Sequence, residues 1–283
     1  MDNLVRRLAN AANGDNAGIV LNIIADLSET NEFAQYVSFV ESGGVQHVMN
    51  AMTLHPTHRT VKIMECATIF QIGSGDGYER QLVDEGAIPS ISSAVERFEH
   101  VDARLMGQAM RAFSVLLYDD RNVEQLWAAH VMELALQAMA NHATIPGVLG
   151  PCLLILQKMC CSPEAVAPRQ RLIDAGGIAA VLRALLVKAP NGDNKVQVTG
   201  CRVLYNFCSG FQDVSVTARF KQHCVEMGAF ETLFTVLKGF EEDMEIYTDV
   251  VGAVGRICFQ MPVLRKKALA CHFNEAEVSA RLL

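Results

Sequence analysis

A glycine-centred signature returns four times along the chain. It reads Phe39-Val-Glu-Ser-Gly-Gly-Val45, Leu82-Val-Asp-Glu-Gly-Ala-Ile88, Leu172-Ile-Asp-Ala-Gly-Gly-Ile178 and Cys224-Val-Glu-Met-Gly-Ala-Phe230. Each copy separates two short apolar runs, as in Val181, Leu182, Leu185 and Leu186 after the third. A residue without Cβ in that place suits a tight corner between helices, where φ is positive and backbones approach closely. A signature repeated at this spacing calls for a stack of like units, because one such unit cannot bury its apolar face alone.

A longer helical segment follows each corner. Within 196–208, Val196, Gly200, Val203, Leu204 and Phe207 share one helix face. The same pair of core positions recurs as Ile24/Leu27, Ile69/Ile72, Phe113/Leu116, Leu156/Met159, Leu204/Phe207 and Val254/Ile257, at successive steps of 45, 44, 43, 48 and 50 residues. The predicted unit is a short helix, a Gly corner, a second helix, a loop and a long third helix. Pro56-Thr57, His100-Val101-Asp102, Thr144-Ile145-Pro146 and Pro190-Asn-Gly-Asp193 punctuate the chain ahead of the long helices and supply cap residues. One unit carries Ala129-His130 in place of the Gly corner, which predicts a weak corner there. Insertions fall near Ser162-Pro163 to Pro168 and around Ser209 to Phe220.

Composition narrows the function. Hydrophobic residues make up 51% of the 283 and aromatic residues 7%, a profile that favours helix packed on helix over a β-sandwich. The formal net charge of −7 argues against nucleic acid as the ligand. The nine cysteines form no C-x-x-C pair, and most, including Cys66, Cys201, Cys208 and Cys258, sit in apolar helical stretches. They read as reduced, buried thiols in a reducing compartment. Neither a signal peptide nor an apolar run of about 18 residues is present, so a soluble cytoplasmic protein is expected, with the nucleus, cilium and cytoskeleton also open to it.

The E/D-x-G-[AG]-[IVF] corner and third helices such as Gly200-Cys-Arg-Val-Leu-Tyr-Asn-Phe-Cys-Ser-Gly210 resemble the armadillo repeat family. The resemblance implies an all-α fold, a right-handed α-solenoid of about six three-helix repeats forming a single domain over 1–283. Residues 1–40 would be a partial N-terminal repeat or cap and 262–283 C-terminal cap helices. Asn274 with Glu275 and Glu277 supplies a helix start in that last segment.

The resemblance also implies a concave groove lined by the third helices. Importin-α proteins place a Trp, and an Asn four residues later, on each third helix. The Trp column here reads Asn22, Ala67, Arg111, Leu154, Arg202 and Gly252, and the Asn column Asp26, Gln71, Val115, Lys158, Asn206 and Arg256. Asn206 alone matches, which disfavours a reader of basic localisation signals. The groove instead gains Arg111, Lys158, Arg202 and Arg256, closer to the basic groove of β-catenin-type proteins. Asn22, Asp26, Gln71, Arg111, Lys158, Arg202, Asn206 and Arg256 are therefore the candidate partner-binding residues.

No constellation of acid, base and nucleophile converges in the sequence. His55-Pro-Thr-His58 lacks the further ligands zinc needs. Gly73-Ser-Gly-Asp-Gly77 has neither the Lys-Ser/Thr nor the preceding strand of a phosphate loop. His223 and Cys224, adjacent on a helix, do not face each other. The acidic run Glu241 to Glu245 reads as a helix start and Arg265-Lys266-Lys267 as a solvated face. The expectation is a non-enzymatic scaffold or adaptor, without metal or cofactor, that holds an acidic or phosphorylated protein segment in its groove. A structural subunit of a cytoskeletal or ciliary assembly is the first alternative and a regulator of a partner enzyme or small GTPase the second. Partner identity and oligomeric state are not legible in the sequence.

Overall fold

The computed structural model describes residues 7, 16, 18–22, 39–75, 77–98, 102–161, 166–209, 214–240 and 242–279. The chain divides into two compact units, Met1–Leu134 and Ala135–Leu283. Among the described residues every regular element is a helix.

In unit 1, α1 (Gly44–Leu54) leads into the long α2 (Arg59–Gly73), and α3 (Glu79–Asp84) and α4 (Ala87–Phe98) lead into α5 (Ala103–Leu116). A 3-10 turn (Asp120–Asn122) and α6 (Val123–Ala128) follow. After α7 (Val131–Asn141), unit 2 continues with α8 (Pro146–Met159). The triplet α9 (Val166–Asp174), α10 (Gly177–Leu185) and α11 (Lys195–Phe207) comes next. A second triplet is α12 (Val214–Glu226), α13 (Ala229–Gly239) and α14 (Met244–Cys258), and α15 (Pro262–Ala270) and α16 (Glu275–Ser279) end the chain. In each triplet the third helix is the longest, as in the unit read from the sequence.

The recurring core column is buried wherever it is described. Ile69, Ile72, Phe113, Leu116, Leu156, Leu204, Phe207, Val254 and Ile257 are fully buried and Met159 nearly so. Ile24 and Leu27 lie outside the described residues. Each such side chain contributes about 1.5–3 kcal/mol by leaving water, so the column fixes which face of every long helix turns inward. In consequence the long helices lie side by side: α2 packs along α5 in unit 1, and α8, α11 and α14 pack in succession in unit 2.

All four Gly corners hold positive φ, at 79° for Gly43, 90° for Gly86, 67° for Gly176 and 88° for Gly228. The corner glycine N–H donates three residues back, as from Gly176 to the Ile173 carbonyl at 2.8 Å. The corner expected to be weak keeps the same geometry, with His130 at φ 54° and its N–H on the Trp127 carbonyl at 3.1 Å. Histidine takes the left-handed conformation there because the flanking helices dictate it. The second glycine of the Gly-Gly corners answers a different need. A Cβ on Gly177 would lie 2.2 Å from Leu172 Cδ1, so this corner closes directly onto its own first helix.

Three of the long helices are capped by side chains, whereas α8 starts on Pro146 behind Ile145 and α11 behind Asn194 without a side-chain cap. Asp102 accepts from the N–H groups of Arg104 and Leu105, and Asp243 from those of Glu245 and Ile246. At α2 the cap is His58, whose ring accepts from Val61 N–H, one residue beyond the expected Pro56-Thr57. Asn274 and Glu277 exchange side-chain and backbone hydrogen bonds at 3.0 and 2.7 Å, a reciprocal capping box that starts α16. At the other end of the chain, residues 18–22 are helical, and a Cβ on Gly18 would sit 3.8 Å from Thr60 and Val61.

Candidate partner-binding surface

In unit 2 the parallel run of α8, α11 and α14 brings Lys158, Arg202, Asn206 and Arg256 onto neighbouring helices. The core column takes the opposite face of each of these helices. Arg202 reaches across to α14, donating to Asp249 at 3.1 Å and Glu245 at 3.2 Å. Asp249 is largely buried, and burial raises its carboxyl pKa while the Arg202 guanidinium holds it down in part. Arg256 donates from Nε to Ser209 Oγ at 2.6 Å and stacks its guanidinium 5.2 Å from the Tyr205 ring. The Asn206 carboxamide donates to the Gln157 carbonyl on α8 at 3.4 Å, and Lys158 is half-buried on the same helix.

In unit 1, Asn22 is exposed on the 18–22 helix, and Gln71 and Arg111 are half-buried on α2 and α5. The Arg111 guanidinium lies 4.0 Å from the centre of the Phe70 ring on α2, a cation–π contact that ties two successive long helices. Asp26 lies outside the described residues.

The sequence reading missed the most heavily engaged cation. Arg169 on α9 is fully buried. Its Nε and Nη2 donate to the Cys160 carbonyl at 3.1 and 2.9 Å, and its Nη1 to the carbonyls of Phe207 and Ser209 at 3.3 and 2.5 Å. One guanidinium thus closes the C-terminal ends of α8 and α11, where unpaired carbonyls and the helix dipole favour a cation. Lys221 on α12, likewise buried, donates to the Phe259 carbonyl at the end of α14 at 2.7 Å. Burial lowers the pKa of both groups. A signal was present: Arg169 stands seven residues ahead of Gly176, as Lys221 does ahead of Gly228.

The residues weighed for chemistry have structural places. His58 is a helix cap, Gly77 turns the chain at φ 88°, and Cys224 is buried. Burial pushes the thiols of Cys66, Cys160 and Cys258 up to about 12, and raises Cys152 and Cys201 as well. Among the described residues no three His, Cys, Asp or Glu side chains gather in a metal-binding arrangement. No described helix is long and apolar enough to cross a membrane. An open cleft of about 560 Å³ in unit 2 is lined by residues including Phe234, Lys238, Tyr247 and His272.

No protein-family model and no curated protein matches the chain. Solved structures do. A designed armadillo repeat protein in complex with the peptide (KR)4 aligns with TM-score 0.71 at 15% identity, over 90% of this chain and 98% of its own. Computationally designed armadillo repeat proteins for modular peptide recognition align at 0.72 and 15%, over the same shares. A structure concerning a phosphorylation switch in the interaction between cadherin and beta-catenin aligns at 0.73 and 15%, over 94% of this chain and 49% of that one. The repeating triplet and its corners define a class, the tandem three-helix repeat proteins. Within that class the fold is the armadillo-repeat fold, an all-α solenoid.

Proposed function

We propose that the chain is a non-catalytic protein-binding scaffold whose third-helix face in unit 2 holds an extended partner segment. The observation that supports this reading is the set of polar side chains shared by α8, α11 and α14, tied from helix to helix by Arg202, Asn206 and Arg256. A face held in register in this way loses little freedom when a peptide settles on it. The segment in this reading carries a carboxylate or phosphate that meets Lys158 and Arg256. Arg202, already engaged by Glu245 and Asp249, serves to hold α11 against α14. Stacking on Tyr205 and the bond to Ser209 fix the plane of the Arg256 guanidinium and direct its Nη edge to the incoming anion.

The test uses wild type and Lys158→Glu/Arg256→Glu with matched acidic, phosphorylated and basic peptide panels, circular dichroism confirming the fold. Retention of acidic or phosphorylated peptides by wild type, weakened about tenfold in the variant, is the expected result, since two half-buried cations each pairing with the peptide supply about 1.4 kcal/mol. A preference for basic peptides, or equal binding by both proteins, would overturn the reading. A second reading, a structural subunit of a larger assembly, draws on apolar side chains exposed away from this face: Leu186 at 52%, Val263 at 66% and Met244 at 70%.

A further inference from the structure

Two thiols meet at the junction of α11 and α12. Cys208 closes α11, Cys224 lies on α12, and their sulfurs are 3.7 Å apart with both residues buried. The backbone around each is held. Arg169 grips the carbonyls on both sides of Cys208, those of Phe207 and Ser209. One turn from Cys224, Lys221 is fixed on the Phe259 carbonyl, and Phe220 lies 5.2 Å from the Phe207 ring. The sulfurs are therefore neighbours by construction, and a shift of under about 2 Å brings them to bonding distance.

We propose that Cys208 and Cys224 form a reversible disulfide-modification site, oxidised by a peroxide and reopened by a thiol reductant. Burial holds the Cys224 thiol well above its ordinary range, so Cys208 is the attacking atom. The Cys208 sulfur attacks one oxygen of hydrogen peroxide and gives up its proton. The O–O bond breaks and hydroxide leaves, taking up a proton as water. The Cys224 sulfur then attacks the sulfenic sulfur, the S–O bond breaks, and a second water departs with the Cys224 proton. Two thiols and one peroxide become one disulfide and two waters, with sulfur oxidised and peroxide oxygen reduced. The crosslink would fasten the first helix of one repeat to the third helix of the repeat before it. Cys161, exposed but lacking such a partner sulfur in the structure, serves as an internal reference for peroxide exposure.

The experiment treats the full reduced chain with graded hydrogen peroxide, blocks remaining thiols with iodoacetamide and maps cysteine peptides by mass spectrometry. The expected result is a Cys208–Cys224 crosslinked peptide that loses two hydrogens and disappears on treatment with dithiothreitol. Cys66, Cys152 and Cys201 should remain alkylatable after denaturation. In Cys224→Ser the crosslink is absent and Cys208 accumulates sulfenic and sulfinic acid. Recovery of Cys208 and Cys224 as alkylated thiols at peroxide levels that oxidise Cys161 would overturn the proposal. So would their pairing at random with the other cysteines. The wild-type map decides the matter even where the serine variant folds poorly.

Discussion

In unit 2 the buried Arg169 guanidinium meets three main-chain carbonyls at the ends of two long helices. In unit 1 the equally buried Glu65 carboxylate has no hydrogen bond among the described residues and faces Lys62 Nζ at 3.4 Å, one turn away on the same helix. The guanidinium remains charged because carbonyls and the negative ends of helix dipoles replace the water it lost. The carboxylate has a single cation at marginal distance. Burial accordingly dominates and raises its pKa to about 8, with Lys62 opposing the shift in part. What separates the two sites is the number of partners that come from outside the residue's own helix. A buried charge that joins elements can hold a repeat junction together, whereas one satisfied only along its own helix costs stability.

Removing the better-satisfied charge should therefore do the greater damage. Arg169→Met leaves the Cys160, Phe207 and Ser209 carbonyls without their donor, and a loss of about 3–5 kcal/mol is expected in denaturant unfolding. Faster amide exchange at the C-terminal turns of α8 and α11 would locate the damage. A loss below about 1 kcal/mol would show that water replaces the guanidinium at no great cost, and the contrast with Glu65 would fail. The opposite sign is expected for Glu65→Gln, a gain at pH 8, where the buried wild-type carboxyl is partly ionised. The folded-state pKa of Glu65 stands above its unfolded value of 4.5, so between these the folded state holds more protons. The Glu65 contribution to wild-type stability therefore falls as pH rises from about 4.5 to about 8 and levels off above that range. Unfolding curves across the range should show this slope in wild type and its reduction in the glutamine variant.

The repeat spacing and the corners were legible because each is written locally. A core column needs apolar residues at fixed intervals, and a positive-φ corner favours glycine. Contacts between repeats left a weaker trace. The carboxylates that engage Arg202 lie 43 and 47 residues away, so the sequence showed a cationic position and not the pair. Arg169 was harder still, since its partners are carbonyls, which every residue carries, and its trace in the sequence is the seven-residue spacing to the corner glycine that it shares with Lys221. The candidate residues of unit 2 were thus placed on neighbouring third helices by the core periodicity together with the family resemblance. Which of them tie helices together emerged from the packing.

The corners allow a finer contrast between the two units. Gly176 in unit 2 and His130 in unit 1 occupy the same left-handed turn, at φ 67° and 54°. A Cβ at Gly176 would meet nothing within 4 Å, so Gly176→Ala tests backbone conformation without a clash, and a loss of about 1–2 kcal/mol is expected. His130→Gly makes the reverse exchange at an exposed position and removes the same conformational strain. Glycine also enlarges the freedom of the unfolded chain, which takes back about 0.4–1 kcal/mol. The net gain should be about 0.5 kcal/mol, visible as a small upward shift of the denaturation midpoint. Trp127, the single tryptophan, stands three residues from the corner and accepts its N–H bond, so its fluorescence reports the transition locally. A loss on His130→Gly would mean that the imidazole contributes more to this corner than its backbone angle costs. The substitution of glycine by histidine would then be a gain of contact, and the two corners would owe the same shape to different forces.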